Sequence, residues 1–501
     1  RYGSSAASDV YKRQLLEQST SRRNVLGFSL VTAIFVAVIF VASFYLSLWR
    51  HASYGSSSHD LGIFVQATWQ ICTGNSPVSS FLGVHILADH ASFFLYALSA
   101  PYCLLKSPSV LLFFQSLFIA LGCIPLALIG RYKGLINLQI SAVLLAYALY
   151  PVVINITLFD FHPDVLAVPL FFVLFLSFEW RNVVVFCVSL LAIASTKAVL
   201  SLTLMSYGLA ILLFRREKKF GSIALGFGVF WYVFAAKYII TVFSEGRFTI
   251  DRHAGHFKGL GSSSTEIMVN SLSRPDVTLP RIFSDRTFDF LGSLFTPVAY
   301  VVAGINKNYW FYLVASLPTL AICLLSTSKH YVSDSRMYML PLVPFLMLMV
   351  VDYYCWSNHR LRRRFRQIPL VVGLLVSVIA FAAFTDTFRL AEKLDRSVQA
   401  RTDALDRLVR MVPTGQSVLT SDKVAPHLSN RNVIRILDAS VDQKPEEFDY
   451  ILVDKIVPGW LSSDQYNQDV YDDLSARSGC LLINDSGEAA LFQCRNSRTD
   501  S

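Results

Sequence analysis

The chain has 501 residues, of which 53% are hydrophobic, 13% aromatic and only 16% charged, with a mean hydropathy of +0.47. A soluble globular protein carries about a quarter of its residues charged, so the composition excludes a water-soluble enzyme and describes a polytopic membrane protein. The formal charge of +9 does not point to nucleic acid, because Lys and Arg gather in short clusters between apolar runs, the pattern of loops kept on the cytoplasmic face.

The first residues stand apart. The chain opens on Arg1, and Asp9-Val10-Tyr11-Lys12-Arg13-Gln14 reads as the in-frame translation of a transposon end, so 1–14 is expected to be non-native sequence and carries no fold argument. Arg22 and Arg23 sit directly against the first apolar run, 25–49, which is long enough to span and places the N-terminus in the cytoplasm. The stretch 50–94 follows on the outer side, with two Asp and four His between apolar segments.

Parity decides the next three apolar stretches, 91–105, 109–130 and 138–158. If all three crossed, Arg131 and Lys133 would face outward and every later basic cluster would be inverted. The segment 91–105 is short and contains Pro101, so it reads as an interfacial helix. Then Arg131/Lys133, Arg181, Arg215–Lys219, Lys307 and the run Arg360–Arg366 all fall on the cytoplasmic side. The remaining spans are expected at 165–178, 183–195, 198–214, 220–243, 288–305, 309–326, 337–356 and 368–384, about eleven in total, some of them short. The whole of 15–384 is thus an all-α membrane bundle, with outer loops at 50–107 and 244–287. In the second of these, Ser263 to Glu266 forms an S-x-x-E capping box that opens a short amphipathic helix.

From 385 the chain turns polar. Short β-like runs (SVLTS, NVIRIL, YILVDK, CLLIND, EAALFQC) alternate with turns behind a helical stretch at 390–412, the pattern of a small α/β domain on the outer side. Eight cysteines are scattered, most inside apolar runs and without CxxC or Cys/His spacing, so they read as small buried hydrophobes. Cys480 and Cys494 flank the turn Asp485-Ser486-Gly487; a hairpin would set them opposite each other as a disulfide, whereas a one-residue slip of register would separate them.

Charged and polar groups at membrane depth or in the outer loops are the candidates for function, because each is costly in hydrocarbon and tends to face a cavity. They are Asp60 with His59, then His85, Asp89 and His90, then Asp160, His162 and Asp164 of the turn FDFHPD, then Lys197, and finally Lys329, His330, Tyr331 and Arg336. Each has a structural alternative. Asp60 also suits a helix N-cap, Asp89 likewise, Asp164 suits an N-terminal helix charge, and Lys197 suits a snorkelling side chain. The run HRLRRRFR is a topology signal in contact with lipid headgroups.

HDLGIFVQATW, ADHASFFLYALSAPYCLL, FHPDVLAVPL, SSTEIMVNSLSRP, KHYVSDSRMYMLPLVPF, VLTSDKVAPHLSNR and DYILVD together resemble the DUF2079 family of bacterial membrane proteins, which is similar to the GT-C superfamily of polyprenyl-phosphate-dependent glycosyltransferases. The resemblance implies a GT-C-like bundle in the bacterial plasma membrane. It implies a catalytic acid at Asp60, a second acid at Asp160 or Asp164, and lipid-phosphate contacts at Lys329, His330 and Arg336; Asp89 and His90, by their place in the same outer stretch, are expected to line the Asp60 cavity. The partners would be a polyprenyl-phosphate-linked sugar, an extracytoplasmic hydroxyl and membrane lipid, with no nucleic acid. Some GT-C relatives use a divalent metal at the carboxylate and others do not. The chain departs from the family at Val65, where an acid is usual, and at Lys197-Ala198-Val199, where Lys-Glu-Asp is usual. The alternative function is a transporter or flippase for a lipid-linked or polar solute, which would be expected to show internal repeats and matching broken spans; the sequence has no convincing repeat. A membrane scaffold without catalysis is a third reading.

Overall fold

The computed structural model describes residues 3–247, 250–332, 337–385 and 396–494. Arg336 lies outside the described residues, as do the side chains of the stretch expected to be non-native and those of Arg22 and Arg23.

Apolar runs dominate the sequence, and in hydrocarbon a helix satisfies every backbone polar group internally. A helical bundle results. Among the described residues six helices are long and apolar enough to cross a membrane: Gly27–Ala52, Ser109–Tyr132, Lys218–Phe243, Asp285–Gly304, Lys307–Leu325 and Met337–Arg360. The span expected over 138–158 is instead a bent pair, Asn137–Ala148 and Pro151–Thr157, meeting at 51° and bringing the number to seven if counted as one. The bend follows from Pro151, which drives Tyr150 out of the helical region to ψ 120. The shorter apolar helices include Phe94–Leu105, Ala167–Glu179, Val183–Thr196, Leu200–Arg215 and Ile368–Phe384. The helix from Val343 is the axis of the bundle, with every residue from Val343 to Tyr354 buried. Helices Leu200–Ala210 and Lys218–Val233 cross backbone to backbone: a Cβ on Gly208 would fall 2.4 Å from the Leu225 nitrogen and one on Gly228 2.7 Å from that of Met205. Small residues at a crossing permit that approach.

The basic loops gather at one end of the bundle. Lys133 lies 3.5 Å from Asp352, Arg215 lies 3.7 Å from Glu179, Arg181 pairs with Glu217 at 2.6 Å, and Gln139 exchanges hydrogen bonds with Asn358. The carboxylate- and histidine-bearing turns occupy the other end, together with the C-terminal sheet. The interfacial segment expected at 91–105 begins as helix only at Phe94, after Ala91 in the left-handed region at φ 50. It packs on Ile63–Cys72, and a disulfide joins Cys72 to Cys103. The reading of these two cysteines as plain buried hydrophobes is therefore corrected. Their helices are adjacent in space, a relation that spacing in the sequence does not encode.

A two-stranded hairpin, β1 (Val78–Ser79) with β2 (Val84–His85), closes the first loop. The C-terminal sheet comprises β3 (Val418–Thr420), β4 (Ile434–Ile436), β5 (Tyr450–Asp454), β6 (Cys480–Asp485) and β7 (Ala489–Cys494) in the order β4-β3-β5-β7-β6. β3 runs parallel to β4 and β5, while β7 pairs antiparallel with β5 and β6. Cys480 stands opposite Cys494 and is bonded to it, and an irregularity between Leu482 and Asn484 supplies the register shift that brings the pair together. This sheet is seated on the first loop. Tyr54 belongs to its core, Gln66 donates to the Arg431 and Asn432 carbonyls at 3.1 Å, and Tyr102 donates to Asn430 at 2.6 Å. In the 244–287 loop Ser263 does cap a helix, Ser264–Ser273, by accepting from the Glu266 N–H at 3.2 Å, and the Glu266 carboxylate accepts from the Ser262 N–H at 2.8 Å.

Candidate functional site

The site is built on the turn that follows the first span. The helix Gly3–Ala52 ends, Tyr54 takes a left-handed φ of 54°, and after an extended Ser57 the chain makes a π-helical turn, Ser58–Gly62, before Ile63–Cys72. Three carboxylates hold this turn. Asp160, fully buried, pairs with Arg50 through one oxygen and accepts the Ser57 N–H through the other at 2.8 Å. Asp422 of the C-terminal domain accepts both the N–H and the hydroxyl of Ser58, at 3.0 and 2.6 Å. Asp60 itself accepts from the Ser57 hydroxyl at 2.6 Å and faces His162 Nε2 at 3.3 Å.

His162 is oriented from every side. Its backbone N–H donates to the Gln115 side-chain oxygen at 3.2 Å, its Nδ1 lies 3.3 Å from the Asp160 carbonyl, and its ring stacks on Phe159 and meets the edge of Phe64. With Nδ1 donating to that carbonyl, Nε2 points at the Asp60 carboxylate, so the pair is placed to share a proton. The Asp60 side chain keeps 18% of its surface, against 0% for Asp160 and 4% for Asp164, and of the three it alone is reachable. His59 points toward the C-terminal domain, its Nδ1 2.9 Å from the Ser58 hydroxyl and its ring against Phe81 and Trp460; burial lowers its affinity for a proton.

A second polar cluster adjoins the first. Asp89 pairs with Arg252, which also donates to the Asp89 carbonyl at 2.9 Å, and His90 Nε2 lies 3.3 Å from Asp89. The His90 carbonyl accepts the Ala198 N–H at 2.9 Å and so fixes the break between helices where Lys197 stands. Lys197 does not snorkel: it pairs with Asp164 at 2.9 Å, both buried, and its ammonium lies 5.2 Å from the Tyr338 ring. The rings of His90, His253, His256, Tyr331 and Tyr338 follow one another at 4.1 to 6.2 Å. Burial first, then the neighbouring cations Lys197 and Arg252, press His253 down to about 3. His90 is pressed well below its usual value by burial, Lys197, His253 and His162.

Not every expected residue joins. His85 accepts the Leu87 N–H at 3.1 Å as a helix cap and lies against Phe243. Lys329 and His330 are exposed, and Lys329 lines a separate cleft of about 700 Å³ with Arg286, Asp289, Ser293, Phe288 and Phe384. Tyr331 is buried and belongs to the ring series. Val65 is wholly buried in an apolar cluster with Leu61 and Phe64. Sequence reasoning missed Arg50, Gln115, Arg252, His253 and Asp422. The runs DRHAGH and TSDK were the signals available, two clusters of charge in otherwise ordinary loops. Among the described residues no three His, Cys, Asp or Glu side chains are grouped so as to hold a metal ion; around Asp60, Ser57 and His162 take up the two carboxylate oxygens.

The bundle with its seated sheet has the GT-C fold. A crystal structure of ArnT from Cupriavidus metallidurans in the apo state matches with a TM-score of 0.54 and 11% identity, over 92% of this chain and 97% of that one. The same protein bound to undecaprenyl phosphate matches with a TM-score of 0.52 and 11% identity, over 91% and 97%. No curated protein matches the sequence. The family model described as predicted membrane protein (DUF2079) matches residues 50–482, and the chain belongs to that family.

Proposed function

We propose that the protein transfers a sugar from a polyprenyl-phosphate donor to a hydroxyl acceptor on the outer face of the bacterial plasma membrane, with Asp60 as the reacting carboxylate. The observation that carries this reading is the Asp60–His162 pair, a partly exposed carboxylate facing an oriented imidazole. Asp160 and Asp164 are committed to Arg50 and Lys197 and serve as framework. Asp60 takes the proton of the acceptor hydroxyl, and the oxygen attacks the anomeric carbon. The bond from that carbon to the phosphate oxygen breaks, and the lipid phosphate leaves with the bonding pair. Arg252 and Lys197, beside the site, favour that developing anion. That the fold neighbour ArnT has been crystallised with undecaprenyl phosphate supports the donor class. The basic loops at the far end, by the positive-inside tendency, are cytoplasmic, which puts the site and the C-terminal domain outside.

The test is label transfer from a radiolabelled polyprenyl-phosphate sugar in membranes holding the protein. Asp60→Ala abolishes transfer if the reading is right; transfer that survives the substitution removes Asp60 from the chemistry.

A further inference from the structure

The C-terminal domain does more than cover the Asp60 turn. It brings Trp460 to the outer flank of that turn, where the indole meets the His59 ring edge-on at 5.0 Å. Trp460 is 60% exposed, yet the loop carrying it is firmly built. Asp454 is fully buried and pairs with buried Arg401 through one oxygen, while its other oxygen accepts the Ile456 and Val457 N–H groups at 3.0 and 3.1 Å. The Leu461 carbonyl accepts the Ala439 N–H at 2.8 Å. Gly459, at φ 100°, lies so close to Asp422 that a Cβ there would fall 2.5 Å from the Cβ of Asp422. One aspartate therefore touches both the base of the Trp460 loop and, through Ser58, the turn that bears His59 and Asp60.

A loop held this way could keep its shape with a polar residue at 460. It instead presents a large apolar ring to solvent, beside an imidazole and buried carboxylates. The electron-rich face of an indole attracts the slightly positive C–H groups on one face of a pyranose, and the polar neighbours suit its hydroxyls. We propose that Trp460 and His59 form a binding subsite for the carbohydrate ring of the acceptor, at the seam between the sheet domain and the bundle. The identity of that ring as acceptor rests on the transferase reading; binding of a sugar at Trp460 does not. His59 and Asp60 are consecutive but face opposite ways, His59 toward Trp460 and Asp60 toward His162.

The experiment is saturation-transfer difference NMR on the full chain in lipid nanodiscs, with methyl glucoside, methyl galactoside and methyl N-acetylglucosaminide as probes and glycerol as control. The expected result is transfer to the ring protons of at least one glycoside and not to glycerol, weakened about tenfold by Trp460→Ala, as loss of one stacking contact implies. Trp460→Phe should retain most of it. An exposed side chain leaves the fold intact when truncated, and thermal melting of each variant verifies this. Absence of signal from all three glycosides, or a signal unchanged in Trp460→Ala, overturns the proposal. If membranes holding the wild-type chain show no label transfer while glycoside binding still depends on Trp460, the transferase reading falls and the subsite stands.

Discussion

His162 Nε2 stands 3.3 Å from Asp60 Oδ1, and the two side chains come from separate turns held together by Arg50, Asp160 and Ser57. A carboxylate that takes a proton from an acceptor hydroxyl gains from an adjacent imidazole that can relay it. His162→Asn should lower the rate of label transfer about a hundredfold, within the range for a lost acid–base partner. Because the two act as one unit, Asp60→Asn/His162→Asn should be no slower than Asp60→Asn alone. Additive losses in the double variant would show that the residues act independently.

Asp160 illustrates the difference between a site residue and its frame. Its carboxylate is fully buried against Arg50, and removing one member of such a pair costs about 3–5 kcal/mol by stranding the other charge. Asp160→Asn or Arg50→Met alone should therefore lower the melting temperature sharply in detergent. The double variant Arg50→Met/Asp160→Leu should recover most of the stability, since an apolar pair of similar volume avoids the desolvation penalty. Transfer should not return with it, because the Ser57 N–H has lost its acceptor and the Asp60 turn its anchor.

Much of this layout is legible in the amino-acid sequence, for physical reasons. Apolar runs give the bundle because lipid leaves backbone groups no other partner, and alternation of short apolar runs with turns gives the C-terminal sheet. Asp60 and His162 stand out because polar groups between apolar segments are costly. Pairings across the bundle are not legible. That Asp164 would be consumed by Lys197, or that Cys72 would meet Cys103, depends on which helices become neighbours, and neither periodicity nor spacing records it. Lys329 shows the reverse error: grouped with the site for its charge and its side of the membrane, it lines a different cleft. Asp422 sits in an ordinary polar loop, and only the docking of the C-terminal domain gives it meaning.

That docking can be tested at Asp422, which accepts the buried Ser58 N–H and hydroxyl. Asp422→Ala leaves both donors without their acceptor, at a cost of about 1–3 kcal/mol. The cost should fall locally, since the Asp160 anchor on Ser57 is untouched. Amide exchange over 57–62 should quicken about tenfold or more, while β5 and β7 keep their protection. Uniform loss of protection across the sheet would mean that Asp422 maintains the domain rather than the turn. Gly459→Ala should produce the same local loosening, because a methyl group there meets Asp422 and the left-handed φ disfavours a side chain.

The buried imidazoles predict how stability depends on pH. His253 is held at about 3 in the folded chain by burial and by Arg252, Lys197 and His256, against about 6.5 when unfolded. Between these values the unfolded chain binds one more proton at this residue than the folded chain. Stability therefore rises with pH across that window and is complete above about 6.5, with a slope for one such group of at most about 1.4 kcal/mol per pH unit. His90, pressed down in the same direction, adds to the slope. The melting temperature in detergent should be level from pH 8 to about 6.5 and fall below it. His253→Asn should flatten the fall between pH 6.5 and 5, where carboxylates contribute least. A His253→Asn curve parallel to that of wild type would mean that the ring charges freely in the folded chain and that the cations beside it do not govern its proton.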